Sequence, residues 1–330
     1  MSNPFRALMV NKTEDDFSLD IQQLTSADLP DGDVLIKVAY SSVNYKDGLA
    51  SIPNGKIVTS YPFVPGIDLS GTVVESKDPR FKEGDQIIAT SYEIGVSHYG
   101  GYSEYARISG DWIVPLPDGL TLEEAMIFGT AGFTAALSIH RLEENGLTPD
   151  KGAVLVTGAT GGVGSMAVAM LAKLGYEVTA STGKESEHAF LKKLGAKQII
   201  SRGEVLGEKV RPLDKQLWAG AVDPVGGESL AAVLSKLKYN GSAAVSGLTG
   251  GTNVPATVFP FILRGINLLG IDSVFCPMDT RKVIWDRMAN DLKPTDVLHT
   301  IKHEITLDGL PEALSTILQG QSRGRVIVKL

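Results

Sequence analysis

The sequence predicts an α/β protein built from two parts, a β-rich lobe and an inserted doubly wound parallel sheet. Three observations carry this. Pro and Gly punctuate short alternating stretches in the first third (Pro53, Gly55, Pro62, Pro65, Gly66, Gly84, Gly100, Gly101), as in a partly closed barrel or sandwich. From Ala153 onward, strand and helix signals alternate, the rhythm of a doubly wound sheet. At Ala153–Gly164, AVLVTGATGGVG, a strand pattern runs through a glycine-dense turn into a helix pattern.

The elements follow in order. Asp33–Tyr40 (DVLIKVAY) alternates apolar and polar residues like a half-buried strand. Ile67–Glu75 reads as a strand around Gly71, a bulge or close-approach position, and Gly84–Thr90 and Ser103–Ile108 look similar. Thr121 opens T-L-E-E, a capping-box start with Glu124 at the third position. Then come strand Ala153–Thr157, helix Val163–Leu174, strand Glu177–Ser181, helix Glu185–Leu194 and strand Gln198–Ser201. Strand Trp218–Asp223, helix Glu228–Leu237 and strands Ser242–Ser246 and Ile266–Val274 complete the alternation. Helices around Val283–Leu292 and Pro311–Gln319 lead to a last strand, Arg325–Lys329. With roughly 100–200 residues per domain, 330 residues suggest two domains. The predicted division puts 1–125 with 276–330 and leaves 126–275 as the inserted α/β domain.

Composition narrows the function. Hydrophobic residues make up 43% and charged residues 21%, an ordinary globular balance, and the net charge is −7. A mildly acidic chain without a basic run has no electrostatic footprint for nucleic acid and no polybasic patch for anionic lipid. The single cysteine, Cys276, excludes an intramolecular disulfide and a Cys-rich zinc site. The first residues, MSNPFRALMV, lack a signal-peptide core, and no run reaches the ~18 apolar residues of a span. The expected location is the cytoplasm, with no membrane partner.

The glycine turn predicts dinucleotide binding. Gly161 and Gly162 let a pyrophosphate approach the backbone, Gly164 lets the helix pack closely on the strand, and the helix-start N–H groups face the phosphates. Such a glycine triplet alone is weak, but strand before and helix after give it context. An NAD site usually carries Asp or Glu at the end of the second strand. Here that end reads Ser181-Thr182-Gly183-Lys184, two hydroxyls, a flexible turn and a cation, with Arg202 after the third strand. This favours NADPH over NADH; the alternative makes Lys184 and Arg202 solvated surface charges.

The segments SSVNYKDGLA (Ser41–Ala50), PGIDLSGTV (Pro65–Val73), GGYSEYA (Gly100–Ala106), GTAGFTAA (Gly129–Ala136), VTGATGGVGS, FPFILRGINLLGIDSV (Phe259–Val274) and GRVIVKL (Gly324–Leu330) resemble the medium-chain dehydrogenase/reductase superfamily. Within it they are most similar to the zinc-free quinone oxidoreductase-like family with the acrylyl-CoA reductases. The resemblance spans essentially the whole chain and implies a GroES-like catalytic domain plus a Rossmann cofactor domain. Where zinc relatives carry their metal ligands, this chain has Asn44-Tyr45-Lys46-Asp47, Gly66-Ile67-Asp68 and Thr130, which leave no plausible zinc set. A departure is Lys184, where close relatives are expected to carry Arg; the charge survives without the bidentate fork.

By resemblance, Tyr45 would lie against the nicotinamide, and Thr160, Gly161, Gly162, Val163 and Gly164 would hold the pyrophosphate. Ser181, Thr182, Gly183, Lys184 and Arg202 would hold the 2′-phosphate end. Leu248, Ile262 and Ser273 would line the nicotinamide side, and Arg325 would close the pocket. Leu248 also follows a strand end in a Gly-rich loop, where ligands sit in such sheets.

The implied reaction is hydride transfer from NADPH to a C=C conjugated to a carbonyl. The developing enolate needs donors and the α carbon a proton. Tyr45 is the candidate proton donor or orienting hydroxyl, or else only a wall against the ring. Asn44 and Asp68 either organise hydrogen bonds around the substrate or are structural. His98 reads as a packing or surface residue rather than a substrate contact, Cys276 as packing, and Arg264 as a partner of a CoA phosphate or the cofactor, or else as a pairing at a subunit edge. The strand around Ile266–Val274 would form a sheet edge that in this superfamily often pairs with a second subunit, so a homodimer is implied. The leading substrate is acrylyl-CoA or a relative. A quinone is the alternative acceptor, and a non-catalytic NADPH-binding sensor or a crystallin-like RNA-binding protein belongs to a different class.

Overall fold

Phe5–Lys12 (β1) and Phe17–Leu24 (β2) pair as an antiparallel hairpin, which the sequence reading did not anticipate. The run Ala7–Val10 is buried throughout, so it shows none of the alternation that flags a half-exposed strand. The computed structural model describes residues 4–14, 16–209 and 211–330.

Val34–Val43 (β3), Tyr45–Ala50 (α1), Asp68–Ser76 (β4), Gln86–Thr90 (β5), Tyr105–Ile108 (β6) and Ile113–Pro115 (β7) follow. Leu122–Glu144 (α2) opens with the expected capping box, in which Thr121 N donates to Glu124 Oε2 and Glu124 N to Thr121 Oγ1. Gly129, at φ 51° and ψ −158°, interrupts that helix. The alternation then runs Val154–Val156 (β8), Gly162–Lys173 (α3), Val178–Ser181 (β9), His188–Lys193 (α4), Gln198–Ile200 (β10) and Arg202–Leu206 (α5). It continues with Trp218–Asp223 (β11), Gly227–Lys236 (α6), Leu237–Val245 (β12), Phe259–Arg264 (α7) and Asn267–Gly270 (β13). Met278–Ala289 (α8), Leu298–Ile301 (α9), Lys302–Thr306 (β14), Leu310–Leu318 (α10) and Arg325–Lys329 (β15) close the chain.

The chain divides into two units, Met1–Thr130 with Val274–Val283 and Lys302–Leu330, and Ala131–Ser273 with Ile284–Ile301. In the first, a sheet ordered β14-β15-β3-β4-β5-β7, with β6 on β3, surrounds Val34, Ile36, Leu69, Ile87, Ile94 and Ile108. In the second, β10-β9-β8-β11-β12-β13 pair in parallel throughout, the predicted doubly wound sheet. Its neighbouring strands β8 and β11 mark the point where strand order reverses, and ligands bind outside the carboxyl ends there.

The units differ from the predicted division at three places, the smallest being residues 274–275, which go with the β-rich unit. Residues 126–130 go with the β-rich unit, because Thr130 binds Asp68 through both its amide and its hydroxyl. Residues 284–301 go with the parallel-sheet unit: Trp285 packs on Phe133 at 6.2 Å, and Arg287 pairs with Glu143 at 2.8 Å. The expected strand Ile266–Val274 is shorter, only Asn267–Gly270 being paired. Among the described residues no helix is long and apolar enough to cross a membrane.

Candidate active site

In the β-rich unit, strand register builds a buried polar cluster. Tyr40 of β3 opposes Ser70 of β4, so two residues further along Ser42 meets Asp68. Val43 opposes Val326 of β15, which brings Arg325 beside Asn44. The Asp68 carboxylate is fully buried and saturated with donors. Its Oδ2 accepts from Ser42 Oγ at 2.5 Å, Asn44 Nδ2 at 2.8 Å and Thr130 N at 2.9 Å, and Oδ1 accepts from Thr130 Oγ1 at 2.5 Å.

Arg325 is equally buried. Its guanidinium donates to Ile127 O, Val43 O, Asn44 Oδ1 and Ser42 Oγ at 2.7–3.2 Å. Burial pushes its pKa down, while Asp68 and Asp47 pull it up. It lies 3.8 Å from Asp68, and the charge contact is relayed by the Ser42 hydroxyl, which accepts from one and donates to the other. Asn44 is fixed at both ends, carbonyl to Arg325 and amide to Asp68, which settles its orientation. Gly129 closes the cluster: a Cβ there would stand 2.6 Å from both Asp68 Oδ2 and Ser42 Oγ, in a left-handed conformation.

Asp47 sits behind this cluster at the third position of α1. Its Oδ2 accepts the Asn44 amide and its Oδ1 the Ile67 amide, both at 2.9 Å, so one side chain clasps the segments that carry Asn44 and Asp68. Burial first, then Asp68, raises its pKa to about 7, against the hydrogen bonds from Ile67 and Asn44. The buried Tyr102 hydroxyl donates to Ser42 O and is pushed far up by burial and the two carboxylates. Tyr45, next to Asn44, is 44% exposed.

In the parallel-sheet unit the residues predicted for the cofactor gather at strand ends. The turn after β8 places Gly158 at φ 54°, and a Cβ on Gly164 would fall 2.3 Å from Gly158 O, the close packing anticipated for the third glycine. Gly161 begins α3 without a side-chain cap, and a Cβ on Gly161 would meet only Gly158 O, at 3.4 Å. Thr160 and Val163 flank these glycines. Ala159 N donates to Ser181 O at 3.1 Å, which ties the turn to the end of β9. Thr157 Oγ1 and Gly226 N donate to the buried Asp223 at 2.5 and 2.7 Å, tying β8 to the loop after β11. Burial raises the Asp223 pKa, opposed by its hydrogen bonds from Thr157, Gly226 and Val225.

At the end of β9, Ser181 and Thr182 are buried, and Thr182 Oγ1 accepts the Lys184 amide at 3.1 Å. The side chain of Arg202 lies over Gly183, whose Cβ would be 3.1 Å from Arg202 Nε. Partial burial lowers the Lys184 pKa; Glu187 opposes this and the Arg202 charge adds to it. Two cations therefore stand close together beside a bare glycine, an arrangement that an anion relieves. The glycine surface, the uncapped start of a twelve-residue helix and this cation pair fit the pyrophosphate and 2′-phosphate of NADPH.

The remaining predicted positions are less concentrated. Leu248 and Ile262 are exposed, Leu248 in a loop whose Gly250 N donates to Val225 O at 2.8 Å. Ser273 Oγ accepts from Thr134 Oγ1 at 2.8 Å. Arg264 donates to Ser235 O, Leu237 O and Asp214 O, carbonyls of its own unit, which neither of its two readings anticipated. His98 bonds Arg107 O at 2.7 Å and packs edge-on against Trp112, as expected of a packing residue. Sequence reasoning passed over Ser42, Asp47, Gly129, Thr157 and Asp223. The signals for two of these were local: Asp at the third position of a helix that starts at N-Y-K-D, and D-P-V-G-G directly after a strand.

Residues 30–118 match the alcohol dehydrogenase GroES-like domain family, and residues 162–290 the zinc-binding dehydrogenase family. The acrylyl-CoA reductase AcuI of Ruegeria pomeroyi (strain ATCC 700808 / DSM 15171 / DSS-3) is 52% identical over 326 residues, 98% of each chain. The crystal structure of Bacillus subtilis protein YhfP with NAD bound is 61% identical, with a TM-score of 0.98 over 100% of both chains. The YhdH oxidoreductase from Salmonella enterica in complex with NADP is 48% identical, with a TM-score of 0.95 over 98% of this chain and 99% of that one.

Proposed function

Because the chain belongs to the zinc-free quinone oxidoreductase-like family of medium-chain dehydrogenases/reductases, we propose that it is an NADPH-dependent reductase of C=C bonds conjugated to a carbonyl, of the acrylyl-CoA reductase type. The observation that carries the cofactor choice is the pair Lys184 and Arg202 beside Gly183 at the end of β9, where an NAD site would set a carboxylate. The likeness to an acrylyl-CoA reductase over 98% of the chain supports the acceptor. Of the two structures described above, one holds NAD and the other NADP, and for this chain the cation pair supports NADPH.

Bound NADPH supplies the hydride. The backbone N–H groups at Thr160–Gly164 hold the pyrophosphate at the start of α3, and the cations hold the 2′-phosphate. Asp68 is sealed from solvent and cannot reach a substrate, so it acts as a positioning residue: with Arg325 it fixes the Asn44 amide. One Asn44 amide hydrogen is engaged by Asp68, which leaves the second to support charge on the thioester oxygen. Tyr45, exposed beside it, gives the α carbon its proton through the phenol hydroxyl. The substrate thus gains a hydride at the β carbon and a proton at the α carbon.

The strand β13 ends the parallel sheet with Leu268 39% exposed, and Phe259, Ile262 and Leu263 of α7 are also exposed. A bare sheet edge beside apolar side chains invites strand addition, and we assign it to a homodimer. Light scattering of wild type against Leu268→Lys tests this: a dimer in both, or a monomer in both, removes the assignment.

The function is tested by NADPH oxidation at 340 nm with purified, metal-stripped protein offered acrylyl-CoA, crotonyl-CoA and 1,4-benzoquinone, with NADH as control. Preference for acrylyl-CoA with NADPH supports the thioester reductase. Turnover of the quinone alone moves the protein to quinone reduction, NADPH binding without turnover moves it to a sensor, and equal use of NADH refutes the cofactor reading.

A further inference from the structure

Lys236 is a lysine with 5% of its surface exposed, at the last position of α6. Burial lowers its pKa, against the pull of Asp214. An ammonium in such a place is costly unless its donors are used. Its Nζ donates to Val205 O and, at 3.5 Å, to Glu204 O, the closing carbonyls of α5. Helix α5 is only five residues long, and its first residue is Arg202. A helix of that length does not hold itself together. Its start is fixed by a capping box in which Ser201 Oγ accepts from Glu204 N and Glu204 Oε2 from Ser201 N, at 3.2 and 2.7 Å. Its end is fixed by Lys236. The end of α6 is in turn held by Arg264, which donates to Ser235 O and Leu237 O on either side of Lys236.

We propose that Lys236 is a positioning residue for cofactor specificity: it clamps the carboxyl end of α5, and thereby holds the Arg202 guanidinium over Gly183 where the 2′-phosphate of NADPH would dock. The inference rests on the NADPH reading of that site. It predicts that Lys236, with no contact to the cofactor, sets discrimination between NADPH and NADH while leaving affinity for the part they share.

Titration calorimetry with NADPH, NADH and adenosine 2′,5′-bisphosphate tests it on wild type, Lys236→Met, Arg202→Ala and the double variant. Lys236→Met should lower the ratio Kd(NADH)/Kd(NADPH) by about fivefold, weaken the bisphosphate in parallel, and leave Kd for NADH within about twofold. In the Arg202→Ala background the same change should have no further effect on the ratio, because Lys236 acts through Arg202. An unchanged ratio in Lys236→Met, or an equal drop in both backgrounds, overturns the proposal. A wild type without NADPH preference, or Arg202→Ala without effect, instead overturns the cofactor reading and takes the proposal with it. Lys236→Gln keeps a polar side chain but loses the charge and the reach to Val205 O, and should also lower the ratio. If Lys236→Met does not fold, this variant decides, and an unchanged ratio in it refutes the clamp.

Discussion

Thr157 donates a 2.5 Å hydrogen bond to Asp223, joining the carboxyl ends of β8 and β11. The other Asp223 oxygen accepts from Gly226, whose left-handed backbone lies where a Cβ would crowd Gly247 O and Gly251 O. One buried carboxylate thus ties the turn before α3 to the glycine loop after β11. Thr157→Val keeps the shape but strips Asp223 of a donor, and should cost about 1–3 kcal/mol in urea unfolding. Thr157→Ser should lose less, since the hydroxyl remains. An unchanged midpoint in Thr157→Val would show that the bond carries no stability.

Two glycines of the same turn should separate folding from binding. A methyl at Gly164 meets Gly158 O at 2.3 Å, a backbone atom that cannot turn away. Gly164→Ala is expected to lose about 1–3 kcal/mol or more. A methyl at Gly161 makes an ordinary 3.4 Å contact but stands on the surface the pyrophosphate would approach. Gly161→Ala should melt at nearly the wild-type temperature and bind NADPH about tenfold more weakly. If both variants melt alike and bind alike, the assignment of distinct roles is wrong.

Asp47 predicts a pH dependence. Its pKa in the folded protein is about 7, above the ordinary carboxyl value near 4. Between these values the folded state binds the proton and the unfolded state does not. The stability Asp47 contributes is therefore complete below about pH 4 and is lost as pH rises through about 7. Unfolding measured from pH 4 to 8 should show this decline, and Asp47→Asn should flatten it. The variant also costs about 1–3 kcal/mol at every pH, because an amide cannot accept both backbone N–H groups that Asp47 holds. A slope that persists in Asp47→Asn would assign the titration elsewhere.

Much of the fold and the cofactor turn was legible because the signals were local. The strand, the glycines and the helix of Ala153–Gly164 lie in one continuous stretch, and Thr121–Glu124 is a cap written within four residues. Of the hairpin, β1 was hidden because a strand buried on both faces has no period, whereas β2 does alternate (Phe17, Leu19 and Ile21 against Ser18, Asp20 and Gln22) and was passed over for want of a visible partner. The Asp68 cluster was only partly legible. Asn44 and Asp68 were picked out by family likeness, but Arg325 reaches them across 281 and 257 positions of chain through the pairing of β15 with β3. No sequence rule forecasts that register. Nor does a glycine inside a helix pattern announce that it makes room for a carboxylate, as Gly129 does.

Tyr45 separates proton donor from wall. It is 44% exposed at the first position of α1, directly after the fixed Asn44. Tyr45→Phe keeps the ring and removes only the hydroxyl. A proton donor lost from the α carbon should lower kcat with acrylyl-CoA by about a hundredfold, with Kd for NADPH within about twofold. Reduction of 1,4-benzoquinone should fall far less, because its oxygens can take their protons from water. If instead kcat with acrylyl-CoA survives in Tyr45→Phe and collapses in Tyr45→Ala, the ring matters and the hydroxyl does not. The proton then comes from another group or from water, and Tyr45 serves only to shape the site.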